Sequence, residues 1–414
     1  MDSASQPSPA LQPSEMLFNP FDPEFRIDPV PTYRRLLDEA PRLPLALGTG
    51  CVLSKHADCM AVLEHPGTSH DFRNSETFRA LQGGDYMFTE EFERRRSFLF
   101  MDPPDHTRLR GLVSKAFSRR RLEALRPRVN ELVDELIDRV FDAGEMELIE
   151  DFAYPLPVTV ISEMLGVPPA DHAVFGDWSR ELARSLDPEP MIAPEVVERR
   201  NRAADAFREY FTKLIEQRRR DPKEDLLSAL IAAEEAGEKL TLDELLSTLI
   251  LLLIAGHETT VNLLGNGVLA LLRNRDQFEA LKQNPSLSKG MVEETLRYDP
   301  PVLFTGRVVM EDVHLDGLTL EKGWQTLLLL GAANRDPEVF DDPNRFDIDR
   351  KPNPHLAFGM GIHFCLGAPL ARLEGEIGFA SIARRLPDLE LATESPDYRE
   401  NIVLRGLAAL PVSF

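Results

Sequence analysis

The chain has 414 residues, of which 43% are hydrophobic and 28% are charged, a composition typical of globular proteins. Its formal net charge of -22 at pH 7 gives an acidic surface that repels nucleic acid and anionic membranes, which excludes both as main partners. A chain of this length buries most of its surface on folding and can enclose a large cofactor.

The N-terminus and the cysteines indicate where the protein works. Residues 1–20 are rich in Pro, Ser and Gln and lack the basic and apolar regions of a signal peptide, so we expect a flexible tail. Cys51, Cys59 and Cys365 form no C-x-x-C pair, so neither a disulfide framework nor structural zinc is expected. A reducing compartment fits this pattern, and we expect a cytoplasmic protein.

The first half of the chain is predicted to be mostly helical. Residues 27–65 are interpreted as a helix, a segment broken by Pro and Gly with a strand at 51–53, and a second helix. Apolar residues at helical spacing predict helices over 105–121 and 122–142. Further helices are predicted over 151–165, 170–185 and 194–219.

The clearest helix start lies at Thr241. Thr241 and Glu244 form a capping-box pattern before a long apolar run, which predicts a helix to about Arg273. Because this run is apolar nearly all round, the helix should be buried through the centre of the molecule. Its most apolar part, residues 245–255, is too short to span a membrane.

The last third mixes helices with short strands. A helix over 288–298 should end before Pro300 and Pro301, and strands are predicted at 307–310, 313–315 and 326–330. Residues 334–354 are expected to be irregular, 366–386 to form a helix, and 402–414 to form a hairpin. The sequence thus predicts a mainly α fold with minor β sheets (α+β) in one large unit.

The segment around Cys365 carries the strongest chemical signal, since it reads FGMGIHFCLG over residues 358–367. Its glycines permit tight turns and the close approach of a flat ligand. Phe358 can shield the sulfur from water, and the helix predicted after Cys365 favours a thiolate through its N–H groups and dipole. A lone buried cysteine is more often structural, but these surroundings favour a ligand role.

This segment resembles the haem-binding loop of the cytochrome P450 family, F-G-x-G-x-H-x-C-x-G, and every fixed position matches. The resemblance extends from about residue 25 to the C-terminus and follows the pattern of soluble bacterial members. It implies that residues 21–414 form a single catalytic domain around a buried haem b, with Cys365 as the axial ligand of the iron. A thiolate ligand favours O–O cleavage, so the implied activity is that of a monooxygenase.

A second motif, AGHETT, occupies residues 255–260 inside the long apolar helix. A buried acid such as Glu258 is costly unless it is satisfied, and such a local violation suggests a functional site. The alternative is a helix kink with a hydrogen-bonded Glu258. A zinc-binding H-E-x-x-H starting at His257 is excluded because residue 261 is Val.

This motif resembles the A-G-x-E-T-T oxygen-activation motif of the same family. The resemblance implies that Ala255 borders the haem and that Gly256 opens a groove for dioxygen. Thr259 would then hydrogen-bond the activated oxygen, and Glu258 would relay protons from solvent. Glu258 and Thr259 are therefore the predicted catalytic residues.

Other positions match the residues with which the family holds and surrounds the haem. Haem propionates need hydrogen-bond donors, and the resemblance assigns this role to His106 and Arg110, four residues apart, and to Arg307 and His363. For each of them alone, a surface salt bridge is the alternative. Structural roles in a buried ion triad fall to Glu294 and Arg297, which match E-x-x-R, and to Arg345, which matches the arginine of the meander.

Family position also places the substrate pocket near residues 79–100 and near the predicted lining residues Leu252, Val302, Leu303, Phe304, Ile402 and Val403. These side chains imply an oily substrate, such as a fatty acid, terpenoid, steroid or polyketide, although each of them could be simple core. Arginines between residues 73 and 96 could hold a substrate carboxylate.

The electrons for such a reaction should come from a separate ferredoxin and ferredoxin reductase, and we expect a monomer. A basic cluster could dock an acidic iron–sulfur protein, although it could also be a solvated helix end. Its members are Arg108, Lys115, Arg119, Arg120, Arg121 and Arg372.

Two other functions remain open. A peroxygenase driven by hydrogen peroxide would favour an arginine for a substrate carboxylate in place of the pair Glu258 and Thr259. A haem-binding sensor or carrier would need neither this pair nor a surface for a redox partner.

Overall fold

The computed structural model of the chain describes residues 17–45, 49–75, 96–115, 117–187, 192–235 and 240–414. Most of the predicted N-terminal tail therefore lies outside the described residues. Within them, the helices are α1 (Pro23–Ile27), α2 (Val30–Glu39), α3 (His56–Glu64), α4 (Asp105–Ser114), α5 (Arg119–Ala124), α6 (Arg126–Phe141), α7 (Pro155–Met164), α8 (His172–Leu182), α9 (Pro194–Arg220), α10 (Leu226–Glu235), α11 (Leu242–Arg273), α12 (Arg275–Gln283), α13 (Ser288–Tyr298), α14 (Leu330–Ala333) and α15 (Ala368–Arg385).

The strands are short and form small sheets. They are β1 (Arg42–Pro44), β2 (Gly50–Leu53), β3 (Thr68–Ser69), β4 (Glu145–Glu147), β5 (Thr305–Val309), β6 (Val313–Leu315), β7 (Leu318–Leu320), β8 (Gln325–Leu328), β9 (Glu390–Leu391), β10 (Asp397–Tyr398), β11 (Leu407–Ala409) and β12 (Pro411–Ser413). The main sheet has the order β1-β2-β8-β5-β3, in which β2 and β8 are parallel. The fold is thus mainly α with minor β sheets, as predicted.

Helix α11 forms the centre of the molecule. Its start is fixed by the predicted capping box, in which Thr241 Oγ1 accepts from the N–H of Glu244 and Glu244 Oε2 accepts from the N–H of Thr241. In the described chain it is the one helix long and apolar enough to cross a membrane, and 72% of its apolar window is buried inside the protein. Because α7, α13 and α15 pack against it, it is a core helix.

The hydrophobic core has three parts. The largest surrounds α11 and includes the apolar faces of α6, α7, α9, α13 and α15. The second lies between α3 and the main sheet, and the third joins the N-terminal segment to residues 303–304 and Ile402.

Several predicted elements have different bounds in the structure. The helix predicted over 105–121 is divided into α4 and α5, and the strand predicted at 326–330 ends at Leu328, before α14. The hairpin predicted over 402–414 is wrong, since β11 pairs with β10 whereas β12 pairs with β4 and β9. The alternation of apolar residues identified these strands but could not identify their partners, which are distant in sequence.

Candidate active site

Cys365 lies in a loop that closes tightly on itself. A short 3-10 turn, Gly361–His363, precedes it, and its N–H donates to the carbonyl of Phe358 over 2.9 Å. Gly361 has φ +68°, and a Cβ there would lie 2.7 Å from the carbonyl oxygen of Leu63. A glycine is therefore required at this position both by backbone conformation and by contact.

The surroundings of the Cys365 sulfur have opposing effects on its ionisation. Burial has the largest effect and raises the pKa of the thiol above its usual value, and the N–H groups of Gly367 and Ala368 and the charges of Arg110 and Arg372 offset this rise only in part. These donors come from the first residues before and in α15, where the helix dipole favours a negative charge. A coordinated metal deprotonates a thiol outright, so this group is suited to serve as a thiolate ligand.

A network of side chains fixes Phe358, which lies in the same loop. The guanidinium carbon of Arg372 lies 4.6 Å from the centre of the Phe358 ring. Arg372 is held in turn by Glu293, with Nε–Oε1 and Nη2–Oε2 distances of 2.7 and 2.9 Å, and Glu293 also meets His355 Nε2 at 3.1 Å. The ring that was predicted to shield the sulfur is thereby fixed in place.

Helix α11 has one accessible face in its otherwise buried middle. Ala255 is exposed and Gly256 and Thr259 are partly exposed, whereas His257, Glu258 and most of their neighbours are buried. Thr259 Oγ1 donates to the carbonyl of Ala255 over 2.9 Å. The predicted oxygen-side residues therefore border an open space, as a cofactor face requires.

Glu258 points away from that face into a polar network. Its side chain is 2% exposed, with Oε2 2.6 Å from Arg399 Nη1 and Oε1 3.2 Å from His257 Nε2. Burial raises the pKa of Glu258, but the hydrogen bond from His257 and the charges of His257 and Arg399 outweigh it. The pKa therefore lies below its usual value, and the carboxyl is held ionised.

The predicted propionate ligands converge in a cluster rich in nitrogen. The rings of His106 and His363 have centroids 4.2 Å apart, and His70 lies 5.0 Å from His363. Both ring nitrogens of His106 and Nε2 of His363 are buried without a hydrogen-bond partner in the described structure. Burial, together with the charges of His70 and Arg307, lowers the pKa of His363 to about 2.

Two arginines complete this cluster. Arg307 is 4% exposed and donates from Nη1 to the carbonyl of Gly306 over 2.7 Å, and burial lowers its pKa to about 10. Arg110 donates from Nη2 to the carbonyl of Phe364 over 2.5 Å. Buried donors that lack acceptors are costly, so a pair of carboxylates would satisfy this cluster. The residues present therefore fit a haem whose propionates lie here.

The buried ion triad differs from the prediction in one member. Arg297 pairs with Glu294 as expected, with both side chains fully buried and an Nη2–Oε1 distance of 2.7 Å. The second arginine on Glu294 is Arg350, however, at 3.2 Å, and not Arg345. Arg345 is exposed and contributes only its carbonyl, which accepts from Arg297 and Arg350. Both arginines follow apolar-acidic segments of the irregular region, so sequence spacing alone did not separate them.

The predicted pocket residues are buried to different degrees. Leu252, Leu303 and Ile402 are buried, Val302 and Val403 are partly buried, and Val302 forms an isolated bridge with Leu404. Phe304 contacts the ring of Phe18 edge-on at 6.4 Å, and it shares the third core cluster with Leu303 and Ile402, against which Val403 packs. The ring of Phe304 therefore lies in the core between the main sheet and the N-terminal segment.

The arginines considered for a substrate carboxylate already have a partner where they are described. Arg73 and Arg96 both pair with Asp71, and Arg96 Nη1 lies 3.1 Å from Asp71 Oδ2. Residues 76–95, which include most of the predicted pocket segment 79–100, lie outside the described residues.

The predicted docking cluster is only partly available. Arg108 is paired with Glu244 and Asp105, and Arg372 is paired with Glu293, so their charges are largely neutralised. Lys115 is exposed but not free of other interactions, and the side chain of Arg119 lies outside the described structure. Arg120 and Arg121 are exposed and form no ion pair within the described part of the chain.

Sequence reasoning missed four residues of this region: His70, Arg350, Glu374 and Arg399. Glu374, in α15, is fully buried beside Thr260 of α11, and burial raises its pKa to about 8. An acidic residue at the seventh position of a helix that also carries glycines on its buried face was the available signal for Glu374. Nothing local distinguishes Arg399, because its partner Glu258 is 141 residues away.

Comparison with known proteins agrees with this geometry. The Cytochrome P450 family profile matches residues 60–401. The chain is 42% identical to Cytochrome P450 107B1 of Saccharopolyspora erythraea, over 95% of this chain and 96% of that protein. It is 40% identical to the polyketide biosynthesis cytochrome P450 PksS of Bacillus subtilis, over 96% and 99% of the two chains.

A solved structure extends the likeness to three dimensions. Ligand-free CYP164A2 of Mycobacterium smegmatis superposes with a TM-score of 0.88 at 44% identity, covering 95% of this chain and 98% of that one. The family profile covers most of the chain, and the relatives named above are 40% or more identical to it over nearly their full length. Sequence and fold therefore indicate the same family. The chain belongs to the cytochrome P450 family, and it is a haem-binding oxidoreductase of the monooxygenase class.

Proposed function

We propose that this protein hydroxylates or epoxidises a hydrophobic small molecule, with Cys365 holding the haem iron and with electrons from a separate ferredoxin system. The observation that carries the proposal is the Cys365 loop, in which a partly buried cysteine is surrounded by N–H donors and two arginines. Hydroxylation balances as substrate-H, O2, two electrons and two protons giving substrate-OH and water, and epoxidation balances in the same way with an alkene giving its epoxide and water.

Bound through a thiolate, the haem supplies an electron-rich iron that favours O–O cleavage. The chain itself binds and orients this group. His106, Arg110, Arg307 and His363 would hold the propionates, and Phe358 would keep water from the sulfur. Ala255 would border the haem on the accessible face of α11.

Protons reach the reacting oxygen through Glu258 and Thr259. Thr259 lies on the accessible face of α11, so its hydroxyl can hydrogen-bond a group bound there. Glu258 lies one residue earlier and is connected towards the surface by Arg399, whose side chain is 19% exposed. An ionised carboxylate can take up a proton from the solvent side and pass it through a hydroxyl or water to the reacting atom, which is the arrangement that a proton relay needs.

The substrate is proposed to be a fatty acid, terpenoid, steroid or polyketide that contacts Leu252, Val302, Ile402 and Val403. These side chains offer only apolar surface. Relatives of similar identity include a vitamin D(3) 25-hydroxylase and a 6-deoxyerythronolide B hydroxylase. Solved neighbours include CYP267B1 in complex with myristic acid and CYP109E1 in complex with testosterone. Such ligands share a large apolar surface, which the proposed lining suits.

The ferredoxin is proposed to dock beside the Cys365 loop. Ile362 and Phe364 of this loop are 54% and 38% exposed, and Arg120 and Arg121 add unpaired positive charge on α5. Opposite potentials would speed the encounter with an acidic iron–sulfur protein. Arg120→Glu with Arg121→Glu should slow stopped-flow reduction by ferredoxin and weaken its salt dependence, whereas reduction by dithionite stays unchanged.

A matched control carries the same charge reversal on another helix. Arg219→Glu with Arg220→Glu changes two exposed arginines at the end of α9. If both double variants are reduced by ferredoxin at the wild-type rate, docking does not use Arg120 and Arg121. We further propose that residues 21–414 act as one domain in a monomeric protein, and that this protein is cytoplasmic; the unpaired state of all three cysteines supports the compartment.

The function itself is tested by turnover. NADPH with ferredoxin and its reductase should convert an apolar ligand, chosen by the Soret shift it causes, into a product that is one oxygen atom heavier and carries 18O from 18O2. Oxidation that needs added hydrogen peroxide and proceeds without the redox system would indicate a peroxygenase. Ligand binding without turnover in either system would indicate a sensor or carrier.

A further inference from the structure

We propose that Arg399 is the positioning residue for Glu258, holding this buried carboxylate ionised and oriented for proton transfer. The proposal rests on the proposed function, in which Glu258 relays protons. Arg399 lies directly after β10 in the C-terminal part of the chain, far in sequence from the motif that it would serve.

The contact itself is short and shielded from solvent. Arg399 Nη1 lies 2.6 Å from Glu258 Oε2, while the side chain of Glu258 is 2% exposed and that of Arg399 is 19% exposed. An ionised carboxylate buried to this extent is unstable unless a charged or hydrogen-bonding partner compensates it. Arg399 supplies both a positive charge and a hydrogen-bond donor to the same oxygen of Glu258.

Arg399 is itself held by the sheet. Its Nε donates to the carbonyl of Leu407 over 3.1 Å, and its backbone N–H donates to the carbonyl of Gly406 over 3.0 Å. The residues that follow are also fixed, since Asp187 Oδ1 accepts from the N–H groups of Ile402 and Val403, each over 3.0 Å. The guanidinium therefore has a defined place, from which it can orient the carboxylate.

His257 also lowers the pKa of Glu258, more strongly than Arg399 does, but an imidazole carries a charge only when it is protonated. His257 Nδ1 lies 2.7 Å from the carbonyl of Leu253 and so carries the hydrogen. Its Nε2, 2.5 Å from Ser179 Oγ, then accepts from this hydroxyl in the neutral ring and can donate to Glu258 only when the ring is protonated. The charge of His257 is thus conditional.

Arg180 and Tyr154 also face the carboxylate but are engaged elsewhere. The guanidinium of Arg180 lies 4.2 Å over the Tyr154 ring and pairs with Glu150 at 2.5 Å. The hydroxyl of Tyr154 donates to the carbonyl of Gly176. Within the described structure, Arg399 is therefore the permanent cation that hydrogen-bonds Glu258.

Loss of this cation has a defined physical consequence. Burial favours the neutral form of a carboxyl group, so without Arg399 the pKa of Glu258 should rise and the group should hold its proton in the resting protein. Arg399→Gln removes the charge but keeps a donor, and Arg399→Lys keeps the charge. Arg180→Gln is the matched control, because it removes a nearby cation that does not hydrogen-bond Glu258.

Infrared spectroscopy of the haem-loaded variants reads the state of Glu258 without turnover. The difference between Arg399→Gln and the double variant Arg399→Gln with Glu258→Gln isolates this one carboxyl. We expect a protonated-acid band near neutral pH that shifts in D2O. The same difference spectrum is recorded for wild type, Arg399→Lys and Arg180→Gln, each measured against the same protein with Glu258→Gln added. We expect no protonated-acid band in any of these three.

Turnover supplies the second readout. In Arg399→Gln, product formed per NADPH should fall about tenfold, less than the roughly 10²–10⁴-fold in rate that a positioned general acid contributes, because Glu258 itself is still present. Its pH–rate profile should gain an ionisation that the double variant lacks, and Arg399→Lys should restore both. If Arg399 had only a structural role, Arg399→Gln would lower the stability of the protein without adding an ionisation to its pH–rate profile.

The two claims fail differently. If Arg399→Gln shows neither the band nor a lower product yield while Glu258→Gln loses product, the positioning role of Arg399 is overturned and the role of Glu258 stands. If the band appears but Glu258→Gln keeps wild-type product per NADPH, Arg399 does position Glu258, and the proposed proton relay is wrong.

Discussion

Arg350 Nε lies 3.2 Å from Glu294 Oε2, which makes Arg350, fifteen residues before Cys365, the second arginine of a buried ion triad. The side chain of Glu294 is fully buried and that of Arg350 is 10% exposed. Arg350 also donates to the carbonyls of Asp341 and Asp342. The triad therefore ties helix α13 to the irregular segment that leads to the haem loop.

Removing Arg350 should destabilise the protein strongly, because it leaves the charge of Glu294 only partly compensated. We expect Arg350→Ala to lower the free energy of unfolding by about 3–5 kcal/mol, the usual cost of breaking a buried pair. Arg345→Ala, at an exposed position, should change it by no more than about 0.5 kcal/mol. Urea titration of both variants decides this, and equal effects would contradict the assignment.

We predict that any side chain at Gly361 lowers the stability of the protein. Its φ of +68° strains an alanine, and the added Cβ would meet the Leu63 carbonyl oxygen at 2.7 Å. Gly361→Ala should therefore cost more than about 1 kcal/mol. Gly323 has a similarly positive φ of +89° but nothing within 4 Å of its Cβ position, so Gly323→Ala measures the backbone strain alone. A cost at Gly361 no greater than at Gly323 would show that the contact is unimportant.

Glu374 should make stability depend on pH. Burial raises its pKa from 4.5 to about 8, so the folded protein binds this proton more tightly than the unfolded chain does. Stability should then fall as pH rises from about 4.5 towards 8, since folding must retain a proton that the unfolded state releases. Thermal unfolding of Glu374→Gln should show a smaller loss over this range; an unchanged slope would mean that Glu374 ionises normally.

Thr259→Ala should bind substrate normally, but NADPH consumption should become uncoupled from product formation. The hydroxyl lies on the accessible face of α11, and its loss damages the proposed proton path without altering the apolar lining. We expect less product and more hydrogen peroxide per NADPH consumed. Thr260→Ala is the neighbouring control, because Thr260 is buried on the other face of the helix. An unchanged product-to-NADPH ratio in Thr259→Ala would remove Thr259 from the mechanism.

The sequence was most informative where function or geometry is local. The convergence of His106 with His363 was expected from the family resemblance alone. The capping box at Thr241 and the helix after Cys365 followed from short patterns, because hydrogen bonds and glycine conformations act over a few residues. The partners of β11 and β12, the pairing of Glu258 with Arg399 and the choice of Arg350 over Arg345 did not. Each depends on packing between segments far apart in the chain, which no local pattern encodes.

The central claim is that Cys365 supplies a thiolate to a haem iron, and the reduced carbon monoxide complex tests it most directly. We predict that the wild-type protein gives the absorption band of a thiolate-ligated haem, that Cys51→Ser and Cys59→Ser keep it, and that Cys365→His loses it while still binding haem. A Cys365→His protein that keeps the thiolate-type band would contradict the account.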